Sequence, residues 1–407
     1  MLVEMNRRPW EYLVAAAAAA AALVAGAPAG ASTGTPAALA SMPLPASALG
    51  TQVAGLPLAA DSGVVTNSKA AGNASGHVTG AQLAKLGRLT GYQLDFGGMP
   101  RSARLSEVQT GVEEYTSSGA AVHGLAFWKQ DDLKVDEAKT LGAKVSIARF
   151  DASGLGSGSF GDAGTIVLKG MPTIAGADVG FRFGRYLGSV TVEGRSVDDV
   201  RALAVRDARA LRARMRDVLA GRVTGSATPL PKAGRPRGGP DLAALALGPK
   251  DFTIAHVTSQ GYKLDSDLNP VAEYERKMSP AGTIASLQES VALFGDVTQA
   301  RSALTVLRLG LTNKAAMKAA MGSTFSYSSH AVAVQAGDDA FGVLGVAHAH
   351  NGASIYLGYV LVRVGRTVEL VVIGSPMSIP VTNSSLGLLG RVVADRVSQG
   401  LGQKPVA

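Results

Sequence analysis

Cysteine is absent from this 407-residue chain. That excludes disulfide staples, thiolate metal sites, thiol catalysis and the lipid-modified Cys of a bacterial lipoprotein. Aromatic residues make up only 5% of the chain and apolar residues 46%, so any core must be built mainly from Ala, Val and Leu. No HExxH, paired-Cys or serine-nucleophile motif occurs. Glu113 and Glu114 are adjacent, and neighbours on a helix do not face one another as an acid–base pair. What the chain has in abundance is glycine, 50 residues of it, which fits tight turns and a loop-rich surface.

The N-terminus reads as an export signal. Arg7 and Arg8 supply the positive region and Leu13 to Ala25 a short apolar run. Ala29-Gly30-Ala31 is an A-x-A site with cleavage expected before Ser32. The apolar run is short for a transmembrane helix. Asn6-Arg7-Arg8-Pro9-Trp10 follows the twin-arginine pattern, although Glu11 and Tyr12 fit its apolar positions poorly. The formal charge of +8 and pI near 9.6 favour anionic wall polymers or lipid headgroups. Nucleic acid is not an expected partner, because export removes it and no aromatic-basic stacking motif is present. Ala, Gly and Arg richness fits a high-GC bacterium.

The chain repeats itself. Gly91-Tyr92-Gln93-Leu94-Asp95 returns as Gly261-Tyr262-Lys263-Leu264-Asp265, and Phe181-Arg182-Phe183-Gly184-Arg185 as Val362-Arg363-Val364-Gly365-Arg366. Gln109, Val112, Tyr115, Ala121 and Leu125 match Gln288, Val291, Phe294, Ala300 and Leu304 at one offset. Gly156-x-x-Ser159-Phe160-Gly161 matches Gly337-x-x-Ala340-Phe341-Gly342, and Arg209 and Arg214 match Arg391 and Arg396. A repeat this long is a duplicated domain rather than a solenoid unit. The organisation expected is a signal peptide over 1–31, a disordered Ala/Pro/Ser-rich spacer over 32–79, copy one over 80–222, a Pro/Gly-rich linker over 223–250 and copy two over 251–402.

Each copy reads as α+β, an antiparallel sheet packed against helices. A short strand holds the Gly-Tyr motif, and a helix is expected next, over 106–123 and 283–304. Strands are expected at 145–150 and 165–168, then at 330–335, 341–350 and 354–364. Gly184-Arg185 and Gly365-Arg366 read as hairpin turns. In copy one a last helix starts at the N-cap Ser196, with Asp199 three residues on. Its aliphatic side carries Val200, Leu203, Leu211, Met215 and Val218, and an adjacent arc carries Arg201, Arg206, Arg209, Arg212 and Arg216.

This order of elements, with Phe-Arg-x-Gly-Arg before a Val-x-Val strand and a terminal helix, resembles two actinobacterial groups. One is the exported sensor-type domains such as the PknH extracellular domain. The other is the LpqN-like lipoproteins with a PsbP-like fold. The resemblance covers both copies and implies binding of ligands or envelope components; it carries over no catalytic residue. The chain departs from those groups in having no kinase domain, no lipobox Cys and a doubled domain.

The remaining motifs are weighed against plainer readings. Gly156-Ser157-Gly158-Ser159-Phe160-Gly161 imitates a kinase glycine loop, and Asp95-Phe96-Gly97 imitates its DFG, but the order is reversed and no His-Arg-Asp loop exists. A turn between strands explains the glycines better. His348 and His350 lie two apart on an expected strand and could present two imidazoles to Zn or Cu. Only His330, Asp338 and Asp339 are near enough in sequence to complete such a site, so solvent-facing polar residues are the simpler account. The arginine arc of 201–216 could meet an anionic polymer or lipid, against the plain alternative of a solvated helix face. Arg182, Arg185, Arg363 and Arg366 are expected to pair with carboxylates. The function expected is therefore an exported, non-enzymatic, cofactor-free envelope protein, secreted or wall-associated. Its tandem domains would bind an envelope component or small apolar ligand at a helix–sheet seam or between domains. The partners expected are an envelope polymer, a lipid surface met peripherally, or a protein. The alternatives are a structural protein docking a secretion or sensor partner, and an envelope hydrolase with an unfamiliar site.

Overall fold

The computed structural model describes residues 37–59, 61–73, 78–97, 105–131, 144–167, 173–223, 227–236, 238–251, 255–263, 268, 270–280, 286–313, 317, 325–349 and 354–403. The expected signal segment lies outside them. The chain divides into two compact units that meet in sequence at Pro231 and Lys232. Each unit carries one antiparallel seven-stranded sheet with helices packed on it.

In the first unit the strands are β1 (Gly63–Val65), β2 (Arg88–Gly97), β3 (Leu105–Tyr115), β4 (Lys144–Phe150), β5 (Phe160–Val167), β6 (Ile174–Phe183) and β7 (Tyr186–Gly194). Its helices are α1 (Ala37–Ser41), α2 (Ala46–Leu49), α3 (Asn67–Asn73), α4 (Gly80–Lys85), α5 (Ser118–Asp131) and α6 (Val197–Leu219). The second unit has α7 (Leu242–Leu245), α8 (Val297–Thr312) and α9 (Asn383–Gly400). Its strands are β8 (Ala255–Lys263), β9 (Ala272–Pro280), β10 (Ser286–Leu293), β11 (Phe325–Val332), β12 (Asp339–Ala349), β13 (Ser354–Val364) and β14 (Thr367–Pro376). The sheets run β1-β2-β3-β7-β6-β5-β4 and β8-β9-β10-β14-β13-β12-β11, one topology used twice.

This equivalence corrects one anchor of the repeat. Gly91-Tyr92 lies on β2, whereas Gly261-Tyr262 lies on β8, which takes the edge place of β1. Tyr92 sits opposite Val112 and Tyr274 opposite Val291, so Tyr274 is the counterpart of Tyr92. The likeness of the two Gly-Tyr segments is a coincidence of local sequence. The other anchors fall on equivalent elements.

The helices expected over 106–123 and 283–304 are each a strand followed by a helix. Segment 105–115 places Val108, Thr110 and Val112 two apart, the period of a strand. The chain turns at Ser117, whose Oγ accepts the Ala120 N–H at 3.1 Å, and helix α5 begins there. In the second unit Leu287, Glu289, Val291 and Leu293 alternate along β10, and Asp296 caps α8 by accepting the Gln299 N–H at 2.8 Å. The helical spacing seen in sequence arose because both strand and helix bury their residues, so apolar positions ran together across the break.

The spacer and linker also differ from expectation. Leu39, Met42, Leu44, Leu49 and Val53 are buried in the first unit's core, and β1 pairs with β2. Leu242, Leu245, Ala246 and Leu247 are buried in the core of the second. These aliphatics stand in or beside stretches rich in Ala, Pro, Ser and Gly, a composition that reads as a linker, yet they pack between helix and sheet. The two straps are themselves counterparts. The Leu44 N–H is held by Thr110 Oγ1 at 3.1 Å and the Leu247 N–H by Glu289 Oε1 at 2.8 Å, from matching strand positions.

One face of the first sheet presents Tyr92, Leu94, Val108, Val112, Val179, Val190 and Val192 to α6, which buries Val200, Ala204, Ala208, Leu211, Met215 and Val218. Ser196 Oγ accepts the Asp199 N–H at 3.3 Å and starts that helix. Helix α9 covers the same face of the second sheet with Leu386, Leu389, Val393 and Val397. The hairpin turns are as expected, with Gly184 and Gly365 at φ 62 and 57, a left-handed conformation that glycine adopts freely. The other face of each sheet lies under α5 or α8, and there the copies diverge.

Candidate ligand cavity in the first copy

Side chains alternate along a strand, so one row across a sheet face can be read from the pairing register. Under α5 one row runs Asp95, Gln109, Thr191, Asp178 and Asp162 over β2, β3, β7, β6 and β5. The next row is Gln93, Gly111, Ser189, Gly180 and Phe160. The equivalent rows of copy two are Lys277, Gln288, Val372, Tyr359 and Val343, then Glu275, Ser290, Leu370, Leu361 and Phe341. At four central places copy two has Val372, Tyr359, Leu370 and Leu361 where copy one has Thr191, Asp178, Ser189 and Gly180.

The consequence is spatial. In copy two, Leu304, Leu307 and Leu311 of α8 pack on Phe341, Val343, Tyr359, Leu361, Leu370 and Val372 and fill the seam. Among the described residues a space of about 20 Å³ lies there, against Ser290, Leu307 and Leu370. In copy one the helix–sheet apolar contact shrinks to Tyr115, Ala121, Leu125, Phe160 and Leu187. A cavity of about 140 Å³ remains, with Gly111 and Gly180 in its floor and Leu125 and Trp128 of α5 in its wall. Its polar side holds Gln93, Gln109, Asp178 and Thr191, and the exposed Ser189 marks its opening.

One end of the cavity is closed by a network around Glu113. Arg88, its side chain fully buried, donates from Nε to Glu113 Oε1 at 2.8 Å, from Nη1 to Asn67 Oδ1 at 2.8 Å and from Nη2 to Val65 O at 3.1 Å. A register shift between Arg88 and Thr90 leaves Leu89 exposed while Arg88 is buried. Glu113 Oε2 also accepts the Tyr115 hydroxyl and the Trp128 indole N–H, both at 2.9 Å. Burial, then the Glu113 charge, pushes the Tyr115 hydroxyl far above its ordinary pKa, so it acts only as a neutral donor. At the polar end Thr191 donates its hydroxyl to Asp178 Oδ1 at 2.5 Å, and Gln93 donates to Asp61 Oδ2 at 2.9 Å. Gln109 is 8% exposed, and its Nε2 has no hydrogen-bond partner.

The sequence-derived candidates sit elsewhere. Arg201 lies over the Phe150 ring at 4.6 Å and Arg212 over Phe183 at 5.8 Å. Arg206 is hydrogen-bonded to Asp207 and Gln52, and Arg216 to Asp217. Arg209 is exposed on the same helix. Thus four of the five arginines hold partners within their own unit. His348 is exposed on β12 with Nδ1 2.7 Å from Ser354 Oγ, and His350 lies outside the described residues. Among the described residues no group of three or more His, Cys, Asp or Glu is placed to hold a metal ion. Arg363 pairs with Asp338 at 3.0 Å and Arg185 with Glu114 at 2.5 Å, while Arg182 turns to the Gly184 carbonyl. Glu113 and Glu114, on a strand and not a helix, serve opposite faces of the sheet. The glycines of 156–161 form the turn from β4 to β5, with Gly156 and Gly158 at φ 107 and 82.

Sequence reasoning missed Gln109, Asp178, Ser189 and Thr191. A signal existed in the comparison of copies. Gly176-Ala177-Asp178-Val179-Gly180-Phe181 matches Leu357-Gly358-Tyr359-Val360-Leu361-Val362, and every second position exchanges a bulky residue for Gly or Asp.

Copy two carries its own buried polar feature on the opposite face. Glu289 and Glu369 are 0% and 1% exposed and interact with each other beside Arg276 and Arg396. Burial raises both carboxyl pKa values, that of Glu369 further because Glu289 lies against it. Arg276 bonds the strap carbonyls of Ala243, Ala246 and Leu247, and Arg396 bonds Asp251 at 2.8 Å.

No family model and no curated protein matches the chain. Among solved structures, the extracellular domain of PknH from Mycobacterium tuberculosis aligns at 14% identity and a TM-score of 0.28, covering 47% of this chain and 100% of that one. The tesB protein of Mycobacterium avium subs paratuberculosis aligns at 11% identity and a TM-score of 0.10, over 70% of this chain and 92% of that one. Likenesses at this level carry no functional argument. Among the described residues no helix is long and apolar enough to cross a membrane.

Proposed function

We propose that the chain is an exported, non-enzymatic binding protein of the cell envelope whose first copy takes up a small molecule, while the second is a filled, structural version of the same domain. The supporting observation is the cavity of about 140 Å³ at the helix–sheet seam of copy one, against about 20 Å³ at the same seam of copy two. A dry engineered cavity of about 150 Å³ holds one benzene ring, so the occupant is about one ring in size. A long acyl chain or a polymer does not fit inside. The net charge of +8 and the exposed Arg209 favour residence near an anionic envelope polymer or lipid surface, and a protein partner there would use the outer surface. Native mass spectrometry of the protein from its own host, followed by organic extraction, tests the reading. A stoichiometric adduct that disappears in the Ser189→Leu/Thr191→Val double variant is the expected result. An adduct that persists in that variant places the ligand elsewhere, and a bare mass for both removes the small-molecule reading.

A further inference from the structure

Independently of the cavity, we propose that β11 is a dimerisation edge: its outer side pairs antiparallel with β11 of a second copy of the chain and joins the two copy-two sheets into one. An edge strand presents a row of unpaired backbone N–H and C=O groups. Natural sheets blunt such rows with shortness, charge, proline or a bulge. Among the described residues the two sheets end on four strands, β1 and β4 in the first and β8 and β11 in the second. Three of them carry such a device. β1 is three residues long. β4 carries the exposed Lys144, and Arg149, which turns inward to Asp162 at 3.0 Å. β8 has a register shift between Val257 and Ser259 and ends on Lys263.

β11 has none of these. Its sequence, Phe325-Ser326-Tyr327-Ser328-Ser329-His330-Ala331-Val332, includes no Lys, Arg, Asp, Glu or Pro. It pairs with β12 residue for residue from Phe325 to Val332 without a shift. Among the described residues no other strand pairs with its outer side. The first copy shows what is missing. With Phe160 and Phe341 as counterparts, the pairings match Ser146 with Ser328, Lys144 with Ser326 and Arg149 with Ala331. Each charge of the guarded edge is a small neutral residue on the bare one.

The same composition selects the occupant. A closed dimer sets the strand against itself across a twofold axis, and a Lys or Glu on it would be repeated on the other side. β11 has neither. Opposed residues of an antiparallel pair point to one face, so the axis falls on a residue. The middle of the strand puts it at Ser328 or Ser329, and either choice sets a serine opposite its own copy, where hydroxyls can hydrogen-bond. Ser326 and Ser328 are exposed and Ser329 half-buried, so no bulky side chain at these places blocks the approach. A pair of short edges lies at the small end of protein interfaces, and the dimer is expected to be weak and reversible.

Sedimentation velocity on the full chain from about 1 to about 500 μM tests this. Because the chain has no cysteine, single substitutions report the contact directly: Ser328→Cys and Ser329→Cys, against Ser146→Cys on the guarded edge. Opposed Cα atoms in an antiparallel pair lie about 4.5 or 5.5 Å apart, within disulfide reach. The expected result is a monomer–dimer equilibrium that disappears in Ser326→Lys/Ala331→Arg, which carries the residues of β4 at the same places and keeps the wild-type circular dichroism. At least one of the two β11 cysteine variants should form a disulfide-linked dimer about tenfold or more faster than Ser146→Cys. A wild type that stays monomeric throughout overturns the proposal, as does a dimer that survives in the folded Ser326→Lys/Ala331→Arg variant. Crosslinking needs no folded double variant, and rates at both β11 positions no faster than at Ser146→Cys overturn the proposal by themselves.

Discussion

Replacing Gln109 with Leu should make the empty protein more stable. The residue is 8% exposed, sits mid-strand between β2 and β7, and keeps an amide nitrogen buried without a partner. Leaving such a donor unsatisfied costs about 1–3 kcal/mol. Leu has nearly the same reach and no polar atom, and it can pack toward the wall formed by Leu125 and Leu187. The gain should therefore be about 1–2 kcal/mol, after allowing for imperfect fit and for the lower β-propensity of Leu compared with branched residues. In a unit of this size that shifts the melting midpoint by about 2–8 °C. Differential scanning calorimetry, with urea melts on ligand-free protein, measures it. Ligand in excess should narrow the difference, because the tighter-binding wild type gains more of the binding free energy that grows as RT ln(1 + [L]/Kd). Destabilisation of the empty variant by 1 kcal/mol or more would refute the reasoning, since it would mean that the amide makes a bond in the folded state.

Three further outcomes are expected. The buried Glu289–Glu369 pair has raised folded pKa values, so its contribution is complete below the unfolded carboxyl value of 4.5 and is lost as pH rises through the folded values. Each proton costs about 1.4 kcal/mol per pH unit in that window. Glu369→Gln should thus flatten the pH dependence of the copy-two urea midpoint between pH 5 and 8, and identical slopes for variant and wild type would remove the account of a carboxyl kept protonated by burial. Arg276→Ala removes the clamp on three strap carbonyls and the counter-charge of Glu289, which should cost copy two about 3–5 kcal/mol; a loss under 1 kcal/mol in chemical denaturation would contradict it. Gly124→Ala puts a methyl 2.4–2.5 Å from the Tyr115 ring, a clash of about 1–3 kcal/mol that outweighs the helix-propensity gain of about 1 kcal/mol, and a higher melting point would show that α5 does not rest on Tyr115.

Much of the architecture was legible in the residues. The α+β class, the duplication, the Gly184 and Gly365 turns and the aliphatic side of α6 each rest on local chemistry: a positive φ, a cap, or a period of residues on one face. The segments 105–115 and 286–293 were misread because each strand runs into a buried helix after a short turn, so apolar positions continued across the break and mimicked one helix. The straps at 37–53 and 242–247 were misread because burial of their aliphatics depends on the groove that receives them, and composition does not register a groove. The arginine side of α6 was seen, yet its engagement with Phe150, Phe183, Asp207 and Asp217 follows from neighbours that only folding supplies.

By itself the sequence determined that the chain holds two copies of one α+β domain, without cysteine chemistry to staple them or to react. Hydrophobic periodicity and turn chemistry are local, and local signals survive in a linear reading. Only the tertiary structure decided that the copies differ in kind. Thr191, Asp178, Ser189 and Gly180 lie on two neighbouring strands, and they become one polar hollow because antiparallel pairing sets them side by side with Gln109 and Gly111 beneath α5. The same register in copy two sets Val372, Tyr359, Leu370 and Leu361 together and closes the seam. Cavities are made by what several distant positions leave empty at once, and that is a property of the packed sheet, not of any one segment.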